Sequence, residues 1–193
     1  MKNQKKVMAA KVLTGAALLA AMSVVLARLL SFAPMPDTRW SLDKFPIFLA
    51  GIFFGPVAGG MVGAVADITG CLLSPYGINP ILTVPAILYG VAGGAVRFWL
   101  AKKPGVLRLA LAYLIPVVLG SILYQSAALA WCYNPAAFMP AFWANLLARS
   151  IQFVIVGAAE IMIMYALIRT GVFTRLGLWP PKKRNKGRCE NDG

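Results

Sequence analysis

Apolar residues along this chain form six runs, separated by short breaks such as Gly-Pro, Pro-Tyr-Gly and Asn-Pro. Most of the runs are long and nearly free of charge, as is typical of helices that cross a lipid bilayer. The pattern predicts an all-α membrane protein with several spans. The apolar segments lie at about 12–33, 45–54, 57–73, 81–100, 106–131 and 141–169.

The number of spans depends on the join at Gly55-Pro56. If residues 45–73 form one kinked helix, the chain has five spans, and if two helices meet there at a tight turn, it has six. With six spans, the basic N-terminus, the loop around Lys102 and Lys103 and the basic C-terminal tail all lie on one side. Basic loops favour the cytoplasm. We therefore predict six helices with both termini cytoplasmic.

The second predicted helix is unusually short. Residues 45–54 rise only about 15 Å as a helix and cannot cross a hydrocarbon core of ~30 Å unaided. This helix must be short, broken or sheltered by protein. The predicted organisation is a basic cytoplasmic N-terminus over 1–11, a transmembrane domain over 12–170 and a basic cytoplasmic tail over 171–193.

Composition and charge agree with a membrane protein. The chain is 60% hydrophobic and 13% charged, with a mean hydropathy of +0.73. Its net charge of +13 comes from basic residues that border apolar runs, without an aromatic-basic binding motif, so a lipid bilayer is the expected partner and nucleic acid is not. The first run is longer than the ~7–15 apolar residues of a cleaved signal peptide, and we interpret it as the first helix.

Metal chemistry and intrinsic ATP hydrolysis are not expected. The chain has no histidine, and Cys71, Cys132 and Cys189 share no metal-ligand spacing. No GxxxxGK[ST] phosphate-binding loop occurs. We therefore predict no cofactor.

Small residues recur every four positions in the third helix. Gly59, Gly63 and then Asp67 fall on one face, where small side chains let another backbone approach closely. Such a face buries Asp67 against protein instead of lipid. A packing ridge and a ligand-contacting role for Asp67 are equally compatible with this spacing.

The first helix carries a similar ridge. Ala16 and Ala20, and likewise Ala17 and Ala21, repeat at intervals of four. Alanine is common in membrane helices, so internal packing is the default interpretation of this ridge. Docking to a partner helix is the alternative.

Four charged residues lie deepest in the apolar runs: Arg28, Asp67, Arg149 and Glu160. Each costs at least a few kcal/mol at bilayer depth unless it is paired or hydrated. In the six-span topology the first three fall in the outer half of the membrane. They therefore need partners there.

The last helix also carries a polar stripe, which indicates that one of its faces meets a polar interior. Ser121 and Gln125, four apart on the fifth helix, are expected to line the same cavity. The stripe consists of Asn145, Arg149, Gln152 and Glu160.

Two interpretations of the embedded arginines remain open. In the first, Arg28 and Arg149 bind a carboxylate-bearing ligand with a flat ring, since guanidinium matches carboxylate in a bidentate manner and aromatic side chains stack on rings. In the second, Arg28 pairs with Asp67, Arg149 pairs with Glu160, and the aromatics form an interfacial belt. We favour binding because buried ion pairs are costly. The aromatics at the predicted mouth are Trp40, Tyr76, Trp131, Tyr133, Phe138 and Trp143.

The segment "FPIFLAGIFFGPVAGGMVGAVADITGCLLSPYG" and the later "LYGVAGG" resemble the substrate-binding S components of energy-coupling factor (ECF) vitamin transporters. The resemblance covers roughly residues 12–170 and is closest to the folate-specific branch. That branch has an arginine in its first helix, matching Arg28. It also has an arginine followed by a glutamate in its last helix, matching Arg149 and Glu160.

The resemblance implies a six-helix S-component-like bundle in a prokaryotic cell membrane, with no enzymatic activity of its own. A vitamin, folate by this match, is expected to bind near the outer face. A small-residue motif on the first helix, resembling Ala16/Ala20 or Ala17/Ala21, is expected to dock to a transmembrane coupling subunit. Two cytoplasmic ATPase subunits drive transport in this family, which fits the missing phosphate loop.

One departure from the folate branch bears on the vitamin. Where that branch reads like Tyr-Phe-Pro-Gly-Phe-Thr, this chain has "YGINPILTV", which keeps Tyr76, Gly77 and Thr83 and lacks the aromatic pair. An S component for another vitamin, such as riboflavin or pantothenate, is the first alternative. An intramembrane enzyme and a small channel are the others. The predicted substrate-binding residues are Arg28, Asp67, Tyr76, Gln125, Arg149 and Gln152.

Overall fold

The first span ends in a short hairpin. A computed structural model describes residues 2–29, 32–35, 38–73, 80–102, 105–133 and 135–170. Helix α1 (Lys2–Leu29) is followed by strands β1 (Phe32–Met35) and β2 (Thr38–Trp40), which pair antiparallel. The helix therefore stops before the predicted end at residue 33. Pro34 explains the difference, because proline lacks an N–H and disfavours helical conformation in the residue before it.

Two helices meet at Gly55, as predicted. Helix α2 (Lys44–Phe54) ends there and α3 (Pro56–Leu72) begins with Pro56 at its first position. Gly55 has φ = 102°, a left-handed conformation that glycine adopts without steric cost. All residues from Phe45 to Phe53 are buried, so the short α2 is sheltered by protein, as its length required.

A glycine junction joins α2 and α3 to α4 (Pro80–Lys102). A Cβ on Gly90 would collide with the carbonyl oxygen of Gly59, and one on Gly51 would collide with the carbonyl oxygen of Gly90. Similarly, a Cβ on Gly94 would meet the backbone of Pro56. Three backbones therefore touch directly, and side chains larger than hydrogen are excluded at this junction.

The fifth and sixth spans each contain a π-helical stretch that the apolar pattern did not predict. In the fifth span this stretch begins directly after Pro116, whose missing N–H disturbs the α-helical hydrogen bonds. The fifth span consists of α5 (Val106–Pro116), the π-helical Val117–Tyr124 and α6 (Gln125–Tyr133). A 3-10 turn (Pro135–Ala137) leads to the sixth, which consists of α7 (Phe138–Gln152), the π-helical Phe153–Gly157 and α8 (Ala158–Arg169).

These elements form the predicted bundle of six membrane helices. Among the described residues, four apolar segments are long enough to cross a bilayer, and α2 and α3 are shorter apolar helices. Helix α2 lies against α1, α3, α4 and α8, so its buried side chains form the centre of the core. The four long segments are Ala10–Leu29, Pro80–Lys102, Val106–Cys132 and Pro135–Arg169.

Candidate functional site

Arg28 lies in the last turn of α1, with its side chain half-buried. Its guanidinium reaches over Gly70 of α3, where a Cβ would stand 3.9 Å from Nη2. The Nε atom of Arg28 is buried and has no hydrogen-bond partner among the described residues. A buried guanidinium N–H without an acceptor is unfavourable. Arg28 therefore has an unused donor inside the protein.

Asp67 lies one turn before Gly70 on the same helix and is half-buried. Its Oδ2 is 3.9 Å from the Cys71 Sγ, a weak contact. Asp67 and Arg28 are both described, and no salt bridge joins them. The expected face of Gly59, Gly63 and Asp67 does turn toward protein, since both glycines are buried against neighbouring backbone.

Arg149 lies in the last turn of α7 and is also half-buried. No salt bridge links Arg149 to Glu160 within the described part of the chain. Its electrostatic neighbour is Tyr89 of α4. The Tyr89 hydroxyl lies 2.8 Å from the Ser121 Oγ on the fifth span. Among the described residues, Arg149 thus interacts electrostatically with a tyrosine and forms no salt bridge with a carboxylate.

The two glutamines of the predicted site lie at corresponding places in the last two spans. Gln125 directly follows the π-helical stretch of the fifth span, and Gln152 directly precedes that of the sixth. Both side chains are half-buried, and α6 and α7 pack against each other. Such π-helical turns occur frequently at functional sites. The sixth predicted residue, Tyr76, lies outside the described residues.

The aromatics divide into two groups. Trp131 and Trp143 are mostly exposed, at 70% and 59% of their surface, and face outward as an interfacial belt does. Phe138 packs its ring against Trp131, with ring centres 6.4 Å apart. Trp40, in β2, is instead half-buried, and its Nε1 is buried with no partner among the described residues. Trp40 therefore turns inward a donor that no described residue accepts.

Glu160 lies deep in the core on α8, with 3% of its surface exposed. Its Oε2 accepts a hydrogen bond of 2.5 Å from the Tyr113 hydroxyl. Its Oε1 accepts one of 3.3 Å from the backbone N–H of Lys44, the first residue of α2. The polar stripe of the last helix is therefore divided. Arg149 and Gln152 lie before the π-helical stretch, and Glu160 lies beyond it in a different environment.

Asp43 and Lys44 form a salt bridge of 3.0 Å at the start of α2. The Ser41 hydroxyl also donates to the Asp43 Oδ1 at 2.6 Å. Burial alone raises the pKa of Asp43, but the Lys44 ammonium and these hydrogen bonds outweigh it and hold the pKa below its usual value. Sequence alone does not reveal this cluster, nor the fully buried Ser126 hydroxyl, which has no partner among the described residues. Neither follows a helical polar stripe.

The alanines of α1 face two directions. Ala20 is 8% exposed and belongs to the core, and Ala16 packs against that core. Ala17 and Ala21 are exposed on the outside of the bundle. Of the two registers expected for docking, the structure leaves only Ala17 and Ala21 open to a partner.

Three comparisons with known proteins bear on this arrangement. Residues 11–176 match the family model "ECF transporter, substrate-specific component". A curated relative, "Folate transporter FolT" of Clostridium novyi (strain NT), is 35% identical over 103 residues, which cover 51% of this chain and 56% of the relative. The match thus spans about half the length of that relative.

A solved structure, "Crystal structure of FolT bound with folic acid", is similar with a TM-score of 0.56 and 30% identity. The similarity covers 75% of this chain and 87% of that one. The family match alone spans most of the chain. The chain therefore belongs to the family of ECF transporter substrate-specific components, which are substrate-binding subunits of cell-membrane transporters and not enzymes.

Proposed function

We propose that this protein captures folate or a reduced folate at the outer face of the membrane for ATP-driven uptake. The similarity to a folate transporter and to a folic-acid complex supports this vitamin over others. Folate carries a flat pterin ring at one end and a glutamate with two carboxylates at the other. The proposed site therefore needs cationic groups for the carboxylates and aromatic or hydrogen-bonding groups for the ring.

The observation that carries the proposal is the buried Nε of Arg28, which has no acceptor among the described residues. Arg97 shares this feature but lies beside the Gly55 turn, and neither Arg28 nor Arg149 forms a salt bridge within the described part of the chain. A cation inside a membrane protein is costly unless it is paired or hydrated. A ligand with two carboxylates supplies one anionic partner to each arginine, with the short, charge-assisted hydrogen bonds that guanidinium forms.

The remaining predicted residues suit the other parts of folate. Asp67 is half-buried one turn from the Arg28 guanidinium. It serves either as counter-ion to Arg28 or as acceptor for the amino and ring N–H groups of the pterin. Gln125 and Gln152 offer both donors and acceptors, and Trp40 and Tyr76 supply aromatic surface. Each of these roles is part of the proposal.

Transport requires partners that this chain lacks. We propose that Ala17 and Ala21, exposed on α1, form the surface that docks to a transmembrane coupling subunit. Small side chains there permit close approach of a second helix. Two cytoplasmic ATPase subunits then supply the energy, in keeping with the family to which the chain belongs.

A calorimetric panel tests the proposed vitamin. The purified full-length protein is titrated with folate, riboflavin, thiamine and pantothenate, and small molecules that co-purify with it are identified by mass spectrometry. Folate is expected to bind and to be the co-purified species. The other vitamins belong in the panel as alternative ligands, because "YGINPILTV" lacks the aromatic pair of the folate branch. Heat with one of them and none with folate would overturn the proposal.

A further inference from the structure

Three membrane spans meet at the point where the outer loop becomes α2. The backbone carbonyl of Asp43 accepts a 2.7 Å hydrogen bond from Ser23 of α1. The next residue, Lys44, donates its backbone N–H to Glu160 of α8. Glu160 in turn accepts from Tyr113 of α5. One dipeptide is therefore held directly by side chains from the first and sixth spans, and through Glu160 by a side chain from the fifth.

Glu160 takes the place of the local helix cap. An aspartate directly before a helix usually accepts from the first free N–H groups, but Asp43 makes no such bond. Its carboxylate is occupied by Ser41 and Lys44 instead. The side-chain carboxyl group of a residue 116 positions later accepts the Lys44 N–H instead.

Tyr113 fixes the carboxylate of Glu160 in place. Its ring is fully buried, with ring centres 5.0 Å from Phe48 and 5.5 Å from Tyr89. The ring therefore has little freedom to turn, so its hydroxyl points steadily at Glu160. Tyr89 is also the electrostatic neighbour of Arg149. The buried ring of Tyr113 therefore packs against a tyrosine that interacts electrostatically with one of the two proposed ligand-binding arginines.

We infer that Glu160 and Tyr113 are positioning residues that hold the outer loop segment, residues 38–43, in its docked place and so limit how fast the ligand enters and leaves. This inference rests on the proposed function, because it concerns the same mouth. Trp40, whose buried Nε1 has no partner among the described residues, belongs to this segment. When the segment undocks, Trp40 moves away from the site with it.

The variants separate anchoring from simple loss of stability. Glu160→Ala removes both hydrogen bonds, and Tyr113→Phe removes one hydroxyl with little change of shape. Glu160→Gln keeps an oxygen that accepts the Lys44 N–H, so this conservative variant is expected to retain the anchor. Tyr165→Phe is the matched control, because it removes a hydroxyl on α8 that is not part of this network.

Hydrogen–deuterium exchange of the purified protein without ligand is the first readout. Peptides covering 38–47 report on the anchor, and peptides covering 86–94 report on the glycine junction. A buried group left without its hydrogen-bond partner corresponds to a change of roughly 10-fold, so exchange over 38–47 is expected to rise by about that factor in Glu160→Ala and Tyr113→Phe. Glu160→Gln and Tyr165→Phe are expected to stay near wild type.

Stopped-flow measurement of folate binding is the second readout. Association and dissociation of folate are both expected to accelerate roughly tenfold in Tyr113→Phe. Three results would each overturn the inference. They are unchanged exchange over 38–47, a rise of equal size over 86–94, and unchanged rates of folate binding despite faster exchange over 38–47. The exchange experiment needs no ligand and therefore tests the anchor alone. Failure of the wild-type protein to bind folate would overturn the proposed function instead, and the exchange result would not depend on it. If Glu160→Ala fails to fold, the measurements on Tyr113→Phe still test the inference.

Discussion

The carbonyl oxygen of Gly59 occupies the space into which a side chain at Gly90 would project. This contact joins α3 to α4 through their backbones, and α2 packs into the same junction through Gly51. The predicted site residue Asp67 lies two turns further along α3. The position of Asp67 relative to Arg28 on α1 therefore depends on how closely these three helices approach.

The glycine junction predicts an unusual response to alanine. Gly90→Ala gains about 1 kcal/mol of helix propensity, but its Cβ would strike a backbone oxygen that cannot rotate away. Overpacking of this kind costs about 1–3 kcal/mol or more, so we expect net destabilisation in thermal unfolding. Gly105→Ala is the matched control, since a Cβ there meets nothing within 4 Å. Equal melting temperatures for both variants would contradict the tight junction.

The docking proposal predicts a separation of uptake from binding. Ala17→Trp or Ala21→Trp places a large side chain on the exposed face of α1, which prevents close approach of a partner helix. We expect folate uptake by cells that carry the coupling subunits to be abolished. Folate binding by the isolated variant is expected to stay within about threefold of wild type, because neither alanine is in the core.

Two controls define the outcome of that experiment. Val154→Trp adds the same bulk to a 71% exposed position on the sixth span and is expected to leave uptake intact. Ala20→Trp, at a buried position, is expected to destabilise the protein as a whole. If Ala17→Trp loses binding and uptake together, the face packs internally and the docking proposal is wrong.

The apolar pattern predicted the larger features of the fold and missed those that depend on distant contacts. Six helices, the turn at Gly55 and the sheltering of α2 follow from span length, glycine-proline chemistry and charge. The early end of α1 and the β1–β2 hairpin were missed, because residues 12–33 read as one apolar run. The π-helical stretches were missed because π and α hydrogen-bonding leave the same apolar composition.

The site shows a similar division. Arg28, Asp67 and Arg149 could be proposed as site residues because a charge in an apolar run is conspicuous. Helical spacing grouped Glu160 with Arg149, whereas in the structure Glu160 accepts hydrogen bonds from Tyr113 and from the backbone at the start of α2. Sequence alone offers no sign of a hydrogen bond across 116 residues. The buried tyrosines were likewise not singled out, because they lie within apolar runs.

The predicted topology is tested by cysteine accessibility. In a background in which Cys71, Cys132 and Cys189 are replaced by serine, single cysteines are introduced for Asp37, Asn134 and Lys103. Because basic loops favour the cytoplasm, an impermeant reagent outside intact cells is expected to label positions 37 and 134 and to spare 103. Labelling at 103 without permeabilisation would be incompatible with six spans and cytoplasmic termini.

The role of Asp67 is tested by comparing the binding of folate with that of a fragment that lacks the pterin. If Asp67 accepts from the pterin, Asp67→Asn is expected to weaken folate binding roughly tenfold or more, since a hydrogen bond to a charged group is lost. Binding of p-aminobenzoyl-glutamate, which lacks the pterin, is then expected to be spared. A counter-ion role predicts similar losses for both ligands. Calorimetry with the two compounds separates these roles, and unchanged affinity for both would remove Asp67 from the site.

The central claim is that two embedded arginines bind the two carboxylates of folate. Its most direct test is the folate dissociation constant, measured by calorimetry for Arg28→Ala and Arg149→Ala. Arg97→Ala is the matched control, because Arg97 is another half-buried arginine, located beside the Gly55 turn. Each site variant is expected to weaken binding by roughly ten- to a hundredfold, the value of a charge-assisted hydrogen bond, with Arg97→Ala near wild type. Wild-type affinity in both Arg28→Ala and Arg149→Ala would contradict the claim.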